Sequence, residues 1–347
     1  MNNNEEKVIA DKLNKITPIE QEQIKKGLFI SDIPDFSTRI IENKLELLTN
    51  YFFKKQDLYI SKHNRFANYP LHAHQFTELN YMLTGSCHQL INGSPIVLNQ
   101  GELLLIGTGV SHEIKALGEK DILINILFKK SSITFEWLSK MGGVCNPLIQ
   151  YLTNLSIDNG RTDQYIIFRV SQVQDVQDTL SKMIDEYYSA DAYSSTIAEL
   201  YLPILFTALT RNCNSPIPSV NPLRDNQKIL PVLQLIEENF KEINLSKAAE
   251  QLGYNKTYLG NLIKKTAGVT FTQLVVKRRL YQARLLLSTT DLPICDVAQE
   301  SGFSNKTYFY KVFKKAFGYL PGEERKKDRK KEGISSLPDE RTLFLIR

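Results

Sequence analysis

The residues best equipped for chemistry cluster between positions 63 and 112. All five histidines of the chain fall there: His63, His72, His74, His88 and His112. His72, His74 and Glu78 are separated by even numbers of residues, so on one extended strand their side chains leave the same face. Asn80 and Met82 share that parity, whereas Tyr81 has the opposite one and reads as core. Imidazoles beside a carboxylate can hold a polyol or a small acid. The same set can also ligate iron, manganese, nickel or zinc. The residue types alone leave both uses open.

A second constellation lies near the C-terminus and occurs twice. The stretch from Leu245 through Ala249 to Gly253 and Tyr254 returns from Ile294 through Ala298 to Gly302 and Phe303, at an offset of 49. Lys256, Thr257 and Tyr258 return as Lys306, Thr307 and Tyr308 at an offset of 50, as do Lys264-Lys265 as Lys314-Lys315 and Gly268 as Gly318. Each copy has the physics of a helix-turn-helix. A small residue sits where two helices meet, and a glycine four residues later suits a turn with positive φ. The helix after each turn has one apolar stripe, Leu259, Leu262 and Ile263 in the first copy and Phe309, Val312 and Phe313 in the second. The opposite face carries Lys256, Thr257, Gly260, Asn261 and Lys264, then Lys306, Thr307, Tyr310, Lys311 and Lys314, with Asn305 just ahead. A polar, cationic helix face suits the major groove of double-stranded DNA. In the second copy Lys306, Thr307, Tyr310 and Lys311 are expected to read bases, and Lys314 and Lys315 to touch phosphate. Gly260 offers no base contact, so the first copy is expected to read fewer bases.

The elements that must position these groups differ along the chain. Residues 1–50 read as a helical extension, with a short helix over 20–27 stopped by Gly27. From 51 to 135 the pattern is short apolar runs at 78–83, 88–91, 95–98, 102–106 and 122–128, and Asn92-Gly93 is the favoured hairpin dipeptide. These predict a β-barrel or sandwich. Residues 136–211 read as helical. Val173, Val176, Leu180, Met183 and Tyr187 form a heptad-like stripe, which predicts either packing on the barrel or the seam of a homodimer. Pro216, Pro218 and Pro222 mark 212–226 as a linker. The helical repeat fills 227–331, including one long helix over about 272–287, and 332–347 is a tail. Charge divides at the same linker. Residues 224–331 hold 21 Lys and Arg against 11 Asp and Glu, whereas 1–223 hold 20 against 24. A basic third on an acidic remainder is the footprint of a nucleic-acid-binding module. The four scattered cysteines form no metal or redox pair and read as buried small hydrophobes of a reducing compartment. No apolar run approaches the ~18 residues of a membrane span, so the chain is expected to be cytoplasmic and to have no membrane partner.

On these residues the C-terminal third resembles the AraC/XylS family of transcription regulators over about 229–325. The pattern includes Arg279-Leu280 with Ala283, Val297-Ala298 with Gly302-Phe303, Tyr308-Phe309 with Phe313, and Gly318 with Pro321 and Arg325. Glu324 departs from it, standing where the family usually has an aromatic residue. The N-terminal region resembles a cupin barrel. His72, His74, Glu78 and Gly85 have the spacing of its first motif, and Gly101, Gly107, Gly109 and His112 follow the second, with Gly107 for the usual proline and Ala116 for the usual asparagine. The resemblance brings His112 to the other three and implies an effector-binding site of His72, His74, Glu78 and His112 without metal, other cofactor or catalysis. It implies an α+β multidomain chain with a cupin-like β-barrel plus helices and a C-terminal all-α double helix-turn-helix domain. The implied protein is an effector-controlled transcription regulator whose partners are double-stranded DNA, a small molecule, a second copy and RNA polymerase. The other reading is a metal-dependent cupin enzyme fused to a DNA-binding domain.

Overall fold

The structure, a computed structural model, describes residues 13–41, 44–53, 56–129, 165–189, 191–212 and 226–325, with a few positions between 132 and 152. The linker core at 213–225, the tail at 332–347, Cys145 and Cys213 lie outside the described residues. The chain forms two compact units, 1–134 with 144–222 and 135–143 with 223–347.

The first unit opens with α1 (Pro18–Lys26). Thr17 and Glu20 close a reciprocal capping box at its start, and Gly27 ends it at φ 65°. The stretch expected to be helical then departs from expectation: β1 (Thr38–Ile41) and β2 (Lys44–Leu47) form an antiparallel pair. Short local patterning hides these strands, because their partner is remote. β2 runs parallel to β4, pairing Leu45 with His72 and Leu47 with His74. A short helix, α2 (Thr49–Phe52), leads into β3 (Leu58–Lys62), β4 (Tyr69–His74), β5 (Thr77–Thr84), β6 (Ser86–Ile91), β7 (Ser94–Asn99), β8 (Leu103–Ile106), β9 (His112–Ile114), β10 (Ile122–Phe128) and β11 (Tyr165–Phe168). One sheet has the order β1-β2-β4-β9-β6-β7 and the other β11-β8-β5-β10-β3. Asn92 (φ 48°) and Gly93 (φ 80°) make the two-residue turn between β6 and β7, both left-handed as a type I′ turn demands.

The core lies between the sheets, where Met82 and Leu104 meet Cys87, Ile91 and Leu98 in one buried cluster. β5 is buried on both faces, because helices α3 (Gln174–Tyr188) and α4 (Ser194–Asn212) cover its outer side. Tyr81 Oη donates to Gln177 Oε1 at 2.8 Å, and the rings of Phe128 and Phe206 meet edge to face at 5.7 Å. Val176, Leu180, Met183 and Tyr187 are at most 4% exposed within the one chain. The heptad-like stripe is therefore core and cannot be a seam between copies. Periodicity shows that a face is covered but not by what. A buried ion-pair network ties α1 to the barrel: Glu20 accepts from Arg65 Nε at 2.7 Å and Lys62 Nζ at 2.9 Å, and all three side chains are inaccessible to solvent.

The second unit contains α5 (Leu230–Asn239), α6 (Leu245–Gln251), α7 (Lys256–Ala267), α8 (Phe271–Thr289), α9 (Ile294–Glu300) and α10 (Lys306–Phe317). The pairs α6–α7 and α9–α10 are the two copies of the repeat, joined by α8. Gly253 and Gly302 take φ 69° and 83° in the turns, which only glycine adopts cheaply. Phe309 and Phe313 join Leu280, Ala283, Val297 and Ala298 in one core. Among the described residues, no helix is long and apolar enough to cross a membrane. Cys87 is buried, but Cys295 is exposed, against the expectation of burial.

Candidate ligand site and nucleic-acid interface

Strand register assembles the barrel cluster. His72 on β4 pairs directly with His112 on β9, and Glu78 on β5 reaches them from the opposite sheet. His74 sits two residues along β4 on the same face. All four residues are at most 4% exposed. The rings of His72 and His112 lie 4.0 Å apart, His74 Nε2 is 3.1 Å from Glu78 Oε2, and His112 Nε2 is 3.6 Å from the same oxygen. A polar chain braces the carboxylate from behind. Asn80 Nδ2 donates to Glu78 Oε1 at 2.8 Å and to Asn125 Oδ1 at 2.9 Å, and Gln89 Nε2 donates to Asn80 Oδ1 at 3.1 Å. Asn80 shares the parity of Glu78 on β5, whereas Gln89 on β6 and Asn125 on β10 reach it only through strand pairing, which spacing along the chain does not reveal.

Burial sets the protonation. Desolvation pushes His63 and His72 down to about 4 and His112 well below the usual imidazole value, outweighing the pull of the Glu78 charge. Burial opposes ionisation of Glu78 too, but the facing His74 nitrogen and the fields of His112 and His72 outweigh it and hold the carboxyl below the usual range. At neutral pH the pocket thus holds a carboxylate beside at least three neutral imidazoles, counting His63. Such a pocket can accept hydrogen bonds or bind a cation.

The candidate nucleic-acid face is built by two capped helices. Asn255 Oδ1 accepts from Thr257 N at 2.9 Å to start α7, and Asn305 Oδ1 accepts from Tyr308 N at 2.9 Å to start α10. Each cap places a lysine, Lys256 or Lys306, on the first helical residue. A cation there opposes the helix dipole, typically by ~0.3–1 kcal/mol, so neither lysine is placed for the stability of its own helix. Lys256, Thr257, Asn261 and Lys264 are exposed on α7, and Lys306, Thr307, Lys311 and Lys314 on α10, with Asn305 exposed at its cap. Two positions differ from expectation. Tyr310 is half-buried against the core of the second copy. Gly260 does not lie on the outward face, because a Cβ there would meet Leu245 Cδ2 at 3.4 Å. A Cβ there would sit in ordinary van der Waals contact with α6.

The residues holding the two copies in register were read in sequence only as part of a helix. Arg278 makes a bidentate pair with Glu237 at 2.6 and 2.7 Å, its guanidinium 4.4 Å over the Phe240 ring. Arg279 donates to the carbonyls of Phe240 at 2.7 Å and Lys241 at 2.9 Å, and packs against the Gly302 turn. Both arginines of α8 thus grip the end of α5. Glu324, the departure from the family pattern, is buried and accepts from Arg284 Nε at 2.7 Å. Its carboxylate has a cation in place of an aromatic neighbour.

Comparison with known proteins places both units. A helix-turn-helix domain description matches residues 248–327, and an AraC-like ligand binding domain description matches 58–205. The HTH-type transcriptional activator RhaS of Mannheimia succiniciproducens is 26% identical over 283 residues, 81% of this chain and 98% of its own length. The melibiose operon regulatory protein of Escherichia coli (strain K12) is 25% identical over 262 residues, 74% of this chain and 83% of its own. The crystal structure of ToxT from Vibrio cholerae O395 aligns at 17% identity over 77% of this chain and 95% of that one, with a TM-score of 0.31. With an AraC-like ligand-binding domain followed by a helix-turn-helix domain, the chain belongs to the AraC family of transcription regulators.

Proposed function

We propose that this chain regulates transcription in the cytoplasm by binding DNA in a sequence-specific way through α7 and α10, under the control of a small molecule taken up by the barrel. The observation that carries this is the duplicated arrangement of an asparagine-capped helix whose first residue is an exposed lysine and whose inner stripe is anchored by buried side chains, Leu259, Leu262 and Ile263 on α7 and Phe309 and Phe313 on α10. Helix α8, gripping α5 through Arg278 and Arg279, sets the geometry of the two copies. Two such helices in successive major grooves would span about 34 Å along one DNA face. The barrel, from β1 to β11, serves as sensor, α3 and α4 pack on it, and the linker at 212–226 conveys the bound state to 227–331 as a population shift.

The reading includes a homodimer, RNA polymerase as a further partner and no catalytic step. The outward face of α4, where Leu200 and Ile204 are more than half exposed, is the apolar surface that supports a dimer contact. The test is a fragment spanning 225–331. It is expected to fold alone and to bind DNA with an affinity that falls steeply as salt rises, through counterion release. A folded fragment without DNA binding at low salt overturns the reading.

A further inference from the structure

Tyr258 and Tyr308 hold the same place, the third residue of α7 and of α10, and are 44% and 45% exposed. At about 100° per residue, Thr257, Asn261 and Lys264 centre the face opposite the buried Leu259, Leu262 and Ile263, while Tyr258 and Lys265 stand about a quarter turn to one side. A helix about 10–12 Å across fills a major groove about 12 Å wide. When the middle of its outer face meets base edges, its flank meets the sugar–phosphate wall. A cation reaches that flank of α7 from outside the repeated motif. Lys228 belongs to a short 3-10 turn, Asn226–Ile229, directly ahead of α5. Ile229 is 1% exposed, which fixes the turn on the unit, whereas Lys228 is exposed. Lys228 Nζ donates to Tyr258 Oη at 3.1 Å and stands 5.9 Å from the ring centre. The Tyr254 ring supports the Tyr258 ring at 5.5 Å. Because the hydroxyl oxygen accepts from the lysine, its own proton is left for an acceptor. An ammonium and a hydroxyl donor thus stand side by side on the flank of the helix.

We infer that Lys228 and Tyr258 together anchor one phosphate of the DNA backbone beside α7. The inference rests on the reading of α7 as a DNA-binding helix and adds a contact supplied by the end of the linker. A phosphodiester oxygen takes a charge-assisted hydrogen bond from the ammonium and a second bond from the hydroxyl. Such a contact reads no base and sets the register of the helix on the duplex. In the second copy Tyr308 lies beside Phe303, with ring centres 6.4 Å apart, and the cation over Phe303 is Arg279 at 6.0 Å. The Arg279 guanidinium is held by the carbonyls of Phe240 and Lys241, so the anchor belongs to the first copy. Lys228 stands two residues beyond the linker at 212–226. Linker movement that lifts this turn therefore withdraws a phosphate contact from α7.

The experiment uses the full chain and two DNA duplexes, one selected by it from a random library and one of scrambled sequence, with affinity measured across a salt series. Lys228→Met keeps the aliphatic stem and removes the charge. The slope of log affinity against log salt is expected to become shallower by about 0.9, the counterion release of one phosphate. At about 0.15 M salt that amounts to about a 5-fold loss, the same on both duplexes. Lys228→Arg should restore the parental slope. Tyr258→Phe should weaken both duplexes by about 2- to 10-fold, the worth of one hydrogen bond, with the slope unchanged. A lysine that merely pins the turn to α7 would lower the melting temperature and leave the slope where it was, and that result overturns the anchor. A loss confined to the selected duplex marks a base contact and overturns it too. Circular dichroism identifies an unfolded variant, in which case Lys228→Gln takes its place. Parental affinity for both duplexes with an unmoved slope in the Lys228 variant sinks only the anchor, whereas a parent that binds neither duplex sinks the DNA-binding reading and the anchor with it.

Discussion

The two turn glycines offer an internal control that only the structure makes visible. Gly253 and Gly302 occupy equivalent places in the two copies and share a left-handed backbone. A Cβ on Gly253 would meet nothing within 4 Å, whereas one on Gly302 would lie 2.9 Å from Lys241 Cα and 2.9 Å from Arg279 Nε. Gly253→Ala should cost only the left-handed penalty, about 1–2 kcal/mol. Gly302→Ala adds an overpacking cost of about 1–3 kcal/mol, because the Lys241 backbone cannot step aside as a flexible side-chain end can. The expected total is about 2–5 kcal/mol. Since Arg279 anchors the Phe240 and Lys241 carbonyls, the same change should also disturb the register of the two copies and weaken binding to a two-part DNA site. Urea denaturation of the 225–331 fragment, followed by far-UV circular dichroism because the single tryptophan, Trp137, lies outside it, measures both losses. Equal losses at the two glycines, or a larger one at Gly253, would refute this account of the interface.

Lys306→Glu should stabilise α10 by about 0.3–1 kcal/mol through the helix dipole while removing a base or phosphate contact, so melting temperature and DNA affinity should move in opposite directions; a parallel fall in both argues against a DNA role for this lysine. Leu180→Asp should unfold the first unit, whereas Leu200→Asp with Ile204→Asp should leave it folded and produce monomers by light scattering; dimers that persist place the contact elsewhere. Glu20 is held below its ordinary value of 4.5, since burial alone would raise it but the bonds from Arg65 and Lys62 outweigh that. Its contribution is therefore full above about pH 4.5 and lost as pH falls through the lowered folded value, leaving Arg65 and Lys62 as buried unpaired cations. Glu20→Gln should lower the melting temperature at pH 7 and flatten its acid limb, and an unchanged acid limb would remove Glu20 from the balance.

Local signals were legible in the sequence, and long-range partnerships were not. The Asn92-Gly93 turn, the Gly27 stop and the paired helix-turn-helix copies rest on residues close together in the chain, and each has a backbone consequence of its own. The β1–β2 hairpin was missed because its four-residue strands are stabilised by β4, some thirty residues on. The stripe from Val176 to Tyr187 declared a covered face without naming the cover, so a seam between copies and a core against the barrel looked alike. Gly260 was assigned to the outward face by alignment of the repeat, while in the structure it faces Leu245. Arg278, Arg279 and Glu324 owe their roles to partners about forty positions away, beyond the reach of any periodicity. In the barrel, parity grouped His72, His74 and Glu78, whereas His112 joined them only through the cupin resemblance. The register of β4 with β9 supplies the physical reason.

The central claim is that α7 and α10 read DNA as a pair. Selection of bound sequences from a random double-stranded library with the full chain tests it most directly. The account predicts an enriched site with two short motifs centred about 10 base pairs apart, one helical turn. Lys256→Ala should relax one motif and Lys306→Ala the other, each costing about 1–3 kcal/mol on the parent site. Failure to enrich any sequence, or enrichment unchanged by both substitutions, would contradict it.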